Sequence, residues 1–220
     1  MCGRFTLSLD PGDLKEELGL GVLPVEMRPR YNIAPTQPVA VVLDGATRDV
    51  VMFHWGLVPG WAKDPSIGSR MINARSETLS EKPSFRNAFS HRRCLILTNG
   101  FYEWEKVDGK KIPYFIHLVS GKPFVFAGLW EVWHSPEGGV LNSCTIITCQ
   151  ANEMVGKLHE RMPVIIPPDQ QASWLDAKGQ TASLQKLLVP YPGVEMSMYP
   201  VLPVVNNPTF DSPDCLKSAI

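Results

Sequence analysis

The sequence has no segment typical of export or of membrane insertion. It lacks any run of about 18 consecutive apolar residues, the length that a transmembrane helix needs. Its first residues also lack the basic-then-apolar pattern of a signal peptide. We therefore expect a cytoplasmic, intracellular protein with no membrane partner.

The sequence also has few cysteines, and none of them forms a Cys-x-x-Cys pair. A disulfide framework or a structural zinc site would need paired or closely spaced cysteines. We therefore expect no disulfide, no metal site and no cofactor. Three of the cysteines lie in apolar, strand-like runs, where a buried and unreactive thiol is typical. The five are Cys2, Cys94, Cys144, Cys149 and Cys215, and the three in apolar runs are Cys94, Cys144 and Cys149.

The chain has no strong charge of either sign. Its net charge of −1 gives no support for a nucleic-acid partner. The arginines are nevertheless concentrated, since nine of the ten lie in residues 1–93. This distribution allows a local basic face, although a solvated surface position is the alternative for each single arginine. The face would comprise Arg4, Arg28, Arg30, Arg70, Arg75, Arg86, Arg92 and Arg93.

Strand patterns dominate the chain, and strands and helices do not alternate as they do in a parallel sheet. The strongest local signal is Asp108-Gly109, which predicts a tight turn between two strands. We predict an α+β fold in which residues 1–220 form a single compact, β-rich domain. Its sheet should be mostly antiparallel and partly closed, with a few flanking helices. The predicted strands are residues 39–43, 50–53, 94–98, 101–105, 113–117, 124–129 and 143–149.

The remaining segments predict short helices and one long extended loop. Four prolines make helix improbable within residues 22–38. The predicted helices are residues 14–18, a stretch from about 78 to 89 interrupted near Pro83, residues 151–159, and shorter ones near 168–175 and 181–188. The tail beyond them should be extended.

Removal of Met1 would give Cys2 an unusual chemistry. A chain-terminal cysteine carries an α-amine with a pKa of roughly 7.7–8.0 and a thiol with a pKa of about 8.5. The pair could cleave an amide, with the thiol as nucleophile and the amine as its base. It could instead capture an aldehyde with both atoms, which gives a five-membered thiazolidine ring. The alternative is an ordinary residue near a frayed terminus.

Two further features allow more than one interpretation. Trp55 and Trp61 are framed by glycine and proline, so each predicts either a core residue or a flat exposed platform. Strand alternation places Glu103 on the face opposite Tyr102 and Trp104. That position alone is typical of an acid that faces solvent.

Six short segments occur in a fixed order along the chain, namely residues 1–5, 31–35, 55–61, 72–77, 100–104 and 159–163. Together they resemble the SOS response-associated peptidase (SRAP) family of abasic-site processing proteins. The resemblance covers residue 1 to about residue 175. It implies a compact β-rich α+β domain with a positively charged channel, which agrees with the fold predicted from the strand patterns. It also implies a sensor that crosslinks itself through Cys2 to abasic sites in single-stranded DNA.

The resemblance implies a catalytic role for four residues. The Cys2 amine would add to the aldehyde of the open abasic sugar, and the Cys2 thiol would close the ring. Glu103 would be the proton donor, with a pKa that burial raises. His159 would be a second proton carrier, and Asn73 would orient the amine and the sugar. Without the resemblance, His159 is a cation at a helix end and Asn73 is a cap or turn residue.

The resemblance also implies residues that hold the DNA. Forked guanidinium groups suit phosphates, and flat rings suit bases. We expect the protein to act as a monomer and to associate with the nucleoid when it is bound to DNA. The implied phosphate contacts are Arg4, Arg75 and Arg161, the stacking and wedging positions are Trp61 and Pro35, and Asn32 belongs to the same DNA-binding set.

Three other functions remain open from the sequence. One is a glutamine amidotransferase that uses Cys2 with the pair Asn99-Gly100, although the chain lacks a Thr-His-Gly turn. Another is a thiol peptidase with Cys2 as nucleophile and His159 as base, which could release its own Met1. A third is a DNA-binding module without catalysis.

Overall fold

The computed structural model describes residues 2–176, 179 and 181–219. Its α-helices are α1 (Pro11–Leu18), α2 (Arg86–His91), α3 (Gln171–Leu175) and α4 (Thr181–Gln185). Its strands are β1 (Phe5–Leu7), β2 (Arg30–Ile33), β3 (Pro38–Val42), β4 (Val50–Trp55), β5 (Asn73–Arg75), β6 (Arg93–Thr98), β7 (Gly100–Val107), β8 (Lys110–Leu118), β9 (Phe124–His134), β10 (Val140–Gln150), β11 (Arg161–Pro163) and β12 (Met196–Pro200).

The larger sheet closes on itself around the long strand β10. Following the hydrogen bonds from β10 through β4, β3, β6 and β9 leads back to β10. Beyond this ring, β10 also pairs with β5 and with β11. Most pairs are antiparallel, and β10 is parallel to β4 and β5. The predicted α+β class and partly closed, mostly antiparallel sheet are confirmed.

The smaller sheet is open and antiparallel, with the order β12, β8, β7, β1, β2. Its hairpin β7–β8 turns at Asp108 and Gly109, whose φ angles are 49° and 77°. Two positive φ angles define the tight turn that matches strand twist, and Asp-Gly favours them. The predicted hairpin is therefore confirmed, and it carries Glu103 near its base.

Aromatic packing holds β1 of the smaller sheet against the larger sheet. The ring of Phe5 meets Trp55 and Phe126 edge-on, with centroids 5.1 and 5.8 Å apart. Phe101 packs on the same Phe126 ring at 6.0 Å. Such edge-to-face contacts add to the large apolar area that these rings bury. Because β1 is held in this way, the residues just before it have a defined position.

The prediction of a helix over residues 151–159 is wrong. The segment is a loop with one 3₁₀ turn at Val155–Lys157. The Ala151 amide donates to the Glu160 carbonyl at 2.9 Å, so the loop ends continue the pairing of β10 with β11. A helix would separate these ends by about 1.5 Å for each residue. The strand pairing therefore overrides the local amphipathic pattern.

Other local predictions have mixed outcomes. The stretch from 78 to 89 is shorter than predicted, since a 3₁₀ turn at Ser76–Thr78 is followed by helix only at α2. The helix α1 is confirmed and ends at Gly19, whose φ of 58° suits glycine. Within the extended tail, β12 pairs with β8. Cys94, Cys144 and Cys149 are buried, as predicted.

No helix among the described residues is long and apolar enough to cross a membrane.

Candidate active site

Cys2 lies beside Glu103 because β1 and β7 are paired. Phe5 is opposite Phe101, and the Tyr102 amide donates to the Arg4 carbonyl at 2.9 Å. Continuing this antiparallel register brings the first residues of the chain alongside Glu103. In the chain that carries Met1, Cys2 is 0% exposed. The alternative of a frayed terminus is therefore wrong for Cys2.

The Cys2 thiol is buried and protonated at neutral pH. Burial raises its pKa strongly, and the nearby Glu103 carboxylate raises it further. The thiol is 3.7 Å from the Arg4 carbonyl oxygen, to which it donates. A thiol in this state is a weak nucleophile, because the thiolate is the reactive form. Reaction at Cys2 therefore requires a neighbouring base.

Glu103 has the properties of such a base. Its side chain is 4% exposed, so the alternative of an acid that faces solvent is wrong. Burial raises its pKa to about 7. Near neutral pH the carboxyl therefore exists in both protonation states, and it can accept a proton from one group and donate it to another.

Asn73 binds the backbone of Cys2 directly. It begins β5, which pairs with β10 opposite Ile146. Its Nδ2 donates to the Cys2 carbonyl oxygen at 2.7 Å. Its Oδ1 is buried and accepts no hydrogen bond from any described residue. A buried acceptor without a partner is unfavourable, so this oxygen is suited to a donor that arrives with substrate or with a free Cys2 amine.

His159 lies in the loop between β10 and β11, so it is not a helix-end cation. The Arg161 amide donates to its Nδ1 at 3.0 Å. Because that bond uses the Nδ1 lone pair, the neutral ring carries its proton on Nε2. Burial lowers the pKa of His159, so the ring is mostly neutral at pH 7. Lys106 of β7 also lowers this pKa, which indicates that the β7–β8 hairpin approaches the ring.

Asn32 is fully buried and holds the C-terminal segment, residues 201–219. Its Nδ2 lies 3.2, 3.0 and 2.7 Å from the carbonyl oxygens of Val205, Asn207 and Phe210. Its Oδ1 accepts from Arg4 Nη1 at 2.7 Å. The amide is therefore used inside the protein, and direct DNA contact by Asn32 stays a prediction.

Arg4 is held in place by hydrogen bonds, and no described carboxylate neutralises its positive charge. Its Nη1 also donates to the Val205 carbonyl at 2.7 Å, and its guanidinium lies 5.9 Å from the Trp104 ring centroid. It forms no ion pair with a described carboxylate, and its buried Nε has no hydrogen-bond partner among the described residues. A half-buried cation in this state favours an anionic ligand.

Arg75 and Arg161 lie on either side of Thr148 in β10. Arg75 is opposite Thr148 across the β5 pairing. Arg161 donates to both the carbonyl and the hydroxyl of Thr148. Arg75 is exposed and has no ion pair within the described ranges, whereas Arg161 forms a bidentate pair with Glu77. The two predicted phosphate contacts therefore share one region but differ in availability.

The two tryptophans of the Gly/Pro-rich segment have different roles. Trp55 is 0% exposed and belongs to the core, whereas Trp61 is 62% exposed. The loop that carries Trp61 is fixed, because Trp133 Nε1 donates to the Ala62 carbonyl at 2.7 Å. Pro35 is half-buried in the loop before β3. Trp61 is therefore an aromatic platform on a supported loop.

The predicted basic face is wrong for at least one arginine. Arg93 is buried, and its guanidinium donates to the carbonyls of Phe89, Ser90 and Trp174. Arg30 and Arg92 are neutralised by ion pairs with acids. Clustering along the sequence therefore overestimates the positive surface.

The sequence interpretation missed three residues that shape the site, namely Glu77, Thr148 and Trp133. Glu77 lies inside one of the six segments, but its spacing from Arg161 carries no local signal. Thr148 lies in an apolar strand, and Trp133 is outside every segment. Their roles become visible only when distant segments are brought together.

The fold and site define a β-rich protein with a near-terminal thiol beside a buried, titratable carboxyl and an amide. The sequence profile of the family described as SOS response associated peptidase (SRAP) matches residues 1–208. Because the match covers nearly the whole chain, this protein belongs to the SRAP family.

Several relatives are named as abasic site processing proteins. The chain is 46% identical over 223 residues to YoqW of Bacillus subtilis, covering 99% of this chain and 100% of that protein. It is 44% identical to YobE of the same species, covering 94% and 97% of the two chains. It is 33% identical to HMCES of Gallus gallus, covering 98% of this chain and 77% of that protein.

Solved structures share the fold. A protein from Bacteroides thetaiotaomicron is 24% identical, matches with a TM-score of 0.91, and is covered over the full length of both chains. A phage-related protein from Bordetella bronchiseptica is 29% identical with a TM-score of 0.71, covering 91% and 94% of the two chains.

Proposed function

We propose that this protein processes abasic sites in single-stranded DNA by forming a covalent thiazolidine with them through Cys2. The observation that carries the proposal is the convergence on Cys2 of Asn73, by a hydrogen bond, and of Glu103, by burial and charge. The names of the relatives support abasic sites as the substrate.

The reaction needs a free α-amine, so Met1 is removed first. The amine nitrogen adds to the aldehyde carbon of the open abasic sugar, and loss of one water gives an imine. The thiol sulfur then adds to the carbon of the protonated imine, and the thiol proton replaces the proton that the acid gave to the leaving water. The net change is one molecule of water released, with no oxidant or reductant.

Glu103 acts in both steps of this reaction, the loss of water and the addition of the thiol. In its protonated form it donates to the oxygen that leaves as water, and the resulting carboxylate can accept the proton of the Cys2 thiol. A pKa of about 7 makes both steps accessible at neutral pH. His159 assists by donating a hydrogen bond from its Nε2–H to a sugar oxygen. Asn73 keeps the Cys2 backbone in place and offers Oδ1 to the amine.

The DNA is held by groups that read no base sequence. Arg4 and Arg75 offer guanidinium groups without an acidic partner among the described residues, and Arg161 lies at Thr148 of β10, the residue opposite Arg75. Trp61 gives an exposed ring on which a base can stack. Pro35 would wedge between bases. We expect a monomer to be sufficient.

The amidotransferase alternative receives no support from the pair Asn99-Gly100. The Asn99 side chain bonds to Thr6 Oγ1 and to the Ser8 amide and hydroxyl, each at 2.9 Å. The Asn99 amide donates to the Thr6 carbonyl, and Thr6 is four residues from Cys2 in the chain. Four residues of extended chain span about 13 Å, so Asn99 lies well away from Cys2. The Asn99 side chain therefore stabilises the connection between β6 and β7. A thiol peptidase would use the same Cys2, so only assays separate it from the proposal.

Cys2→Ala should abolish the stable adduct with single-stranded DNA that carries one abasic site. The wild type should give a band that survives heat and SDS, because a thiazolidine is a closed covalent ring. The variant retains an α-amine and should give only an imine that borohydride can trap. If Cys2→Ala forms the same stable band without a reductant, the thiazolidine proposal is wrong.

Arg75→Ala should weaken binding without slowing the chemistry. Loss of one phosphate contact should reduce the slope of log affinity against log salt by about 0.7, the single-strand value per charge. Anisotropy titrations with uncrosslinkable DNA measure this slope. The matched control is Arg86→Ala, an exposed arginine on α2, which packs against β6 and β9. An equal effect of both variants would refute a specific contact at Arg75.

A further inference from the structure

In the ion pair between Glu77 and Arg161, the carboxylate is half-exposed and the guanidinium is mostly buried. Arg161 Nη1 and Nη2 each lie 2.9 Å from one oxygen of the Glu77 carboxylate. The Arg161 side chain is 11% exposed, and that of Glu77 is 52% exposed. The carboxylate therefore lies on the solvent side of the guanidinium.

Two further donors of Arg161 are directed into the protein. Nε donates to Thr148 Oγ1 at 3.3 Å, and Nη2 also donates to the Thr148 carbonyl. These bonds fix the guanidinium against β10. Its outward edge, which holds the two Glu77 oxygens, is the edge that a ligand from solvent would meet.

A carboxylate and a phosphate bind this edge in the same way, because each presents two oxygens to the guanidinium fork. The two anions also repel each other, so they cannot occupy the edge together. The Arg161 hydrogen bonds lower the pKa of Glu77, which is therefore charged at neutral pH. Arg75, on the other side of Thr148, has no such partner among the described residues.

We propose that Glu77 is an internal substitute for a DNA phosphate, which occupies the Arg161 fork in the free protein and yields it when DNA binds. This inference rests on the proposed function in one respect, since it takes a DNA phosphate as the incoming ligand. A DNA phosphate can then bind the outward edge of the Arg161 guanidinium only by displacing the Glu77 carboxylate. The exchange therefore lowers affinity for every strand whose phosphate uses the Arg161 fork.

The test compares Glu77→Gln with the wild type on single-stranded DNA that carries a tetrahydrofuran abasic analogue, which has no aldehyde. Anisotropy titrations are run at several salt concentrations. Breaking a half-exposed ion pair should tighten binding about two- to fivefold. The salt slope should become steeper by about 0.7 for one freed charge.

Two matched variants separate displacement from general charge removal. Glu160→Gln removes an exposed acid next to Arg161 in sequence and should give a smaller gain. In an Arg161→Gln background, Glu77→Gln should gain no more than Glu160→Gln does. Thermal unfolding confirms that each variant is folded. If Glu77→Gln does not fold, Glu77→Asp carries the test, because its shorter side chain breaks the bidentate pair.

The outcomes distinguish this inference from the proposed function. Weaker binding by Glu77→Gln, or a gain that persists without Arg161, overturns the inference and leaves the crosslinking proposal intact. Failure of the wild type to bind single-stranded DNA at all overturns both.

Discussion

Glu103→Gln should slow adduct formation by roughly 10²-fold or more, the usual contribution of a positioned acid or base. The substitution keeps the size of the side chain and removes its titratable proton. Affinity for uncrosslinkable DNA should barely change, because Glu103 is buried and is not a phosphate contact. The measurement is the adduct rate at saturating protein. Loss of affinity with an unchanged saturated rate would contradict a role in proton transfer.

The pH profile provides a second readout. The amine must be neutral, which by itself makes the rate rise up to about pH 8. Glu103 must be protonated to donate, which by itself makes the rate fall above a pKa of about 7. The wild-type profile should therefore be bell-shaped, with its maximum between about pH 7 and 8 and a falling limb above it. Glu103→Gln should lose this falling limb. The matched control is Glu105→Gln, two residues along the same strand, which should keep the wild-type rate and profile.

Glu103→Gln should have a larger free energy of unfolding than the wild type, although it is less active. The folded-state pKa of Glu103 is raised from 4.5 to about 7, so the unfolded chain releases this proton first and the wild type loses stability between these pH values. Glu103→Gln should therefore be more stable by about 1–3 kcal/mol at pH 8. The difference should vanish below pH 4.5. Denaturant unfolding at the two pH values measures it.

Retention of Met1 should abolish crosslinking completely. An amide-linked Cys2 nitrogen has no basic lone pair and cannot form an imine. Cys2 is also fully buried in the chain that carries Met1. A protein with an uncleaved N-terminal extension should therefore bind uncrosslinkable DNA but give no adduct.

The control for this experiment is the same extension followed by a protease site that leaves Cys2 first. Cleavage should restore the adduct. Undiminished crosslinking by the extended protein would exclude the amine mechanism, whatever the role of the thiol.

Features encoded by neighbouring residues could be predicted from the sequence. The β7–β8 hairpin follows from Asp108-Gly109, whose left-handed geometry few other pairs adopt. The α1 helix follows from its flanking Asp10 and Gly19. The helix predicted over residues 151–159 is wrong because the hydrophobic spacing of that segment fits a helix, whereas the pairing of β10 with β11 requires its two ends to meet.

Features that depend on distant residues could not be predicted in this way. Glu77 and Arg161 are 84 residues apart, and their pairing depends on how β5 and β11 both reach β10. The carbonyl partners of Asn32 lie more than 170 residues away. The environment of Glu103 likewise depends on the pairing of β1 with β7, which brings Cys2 close to it, so its burial could be inferred only from the family resemblance.

The intact mass of the protein after incubation with DNA that carries one abasic site tests the central claim most directly. The account predicts a single product whose mass equals the protein without Met1 plus the oligonucleotide minus one water. Peptide mapping should place the modification on Cys2. A product that retains Met1, or that carries the DNA on any other residue, would contradict capture of the abasic aldehyde by the Cys2 amine and thiol.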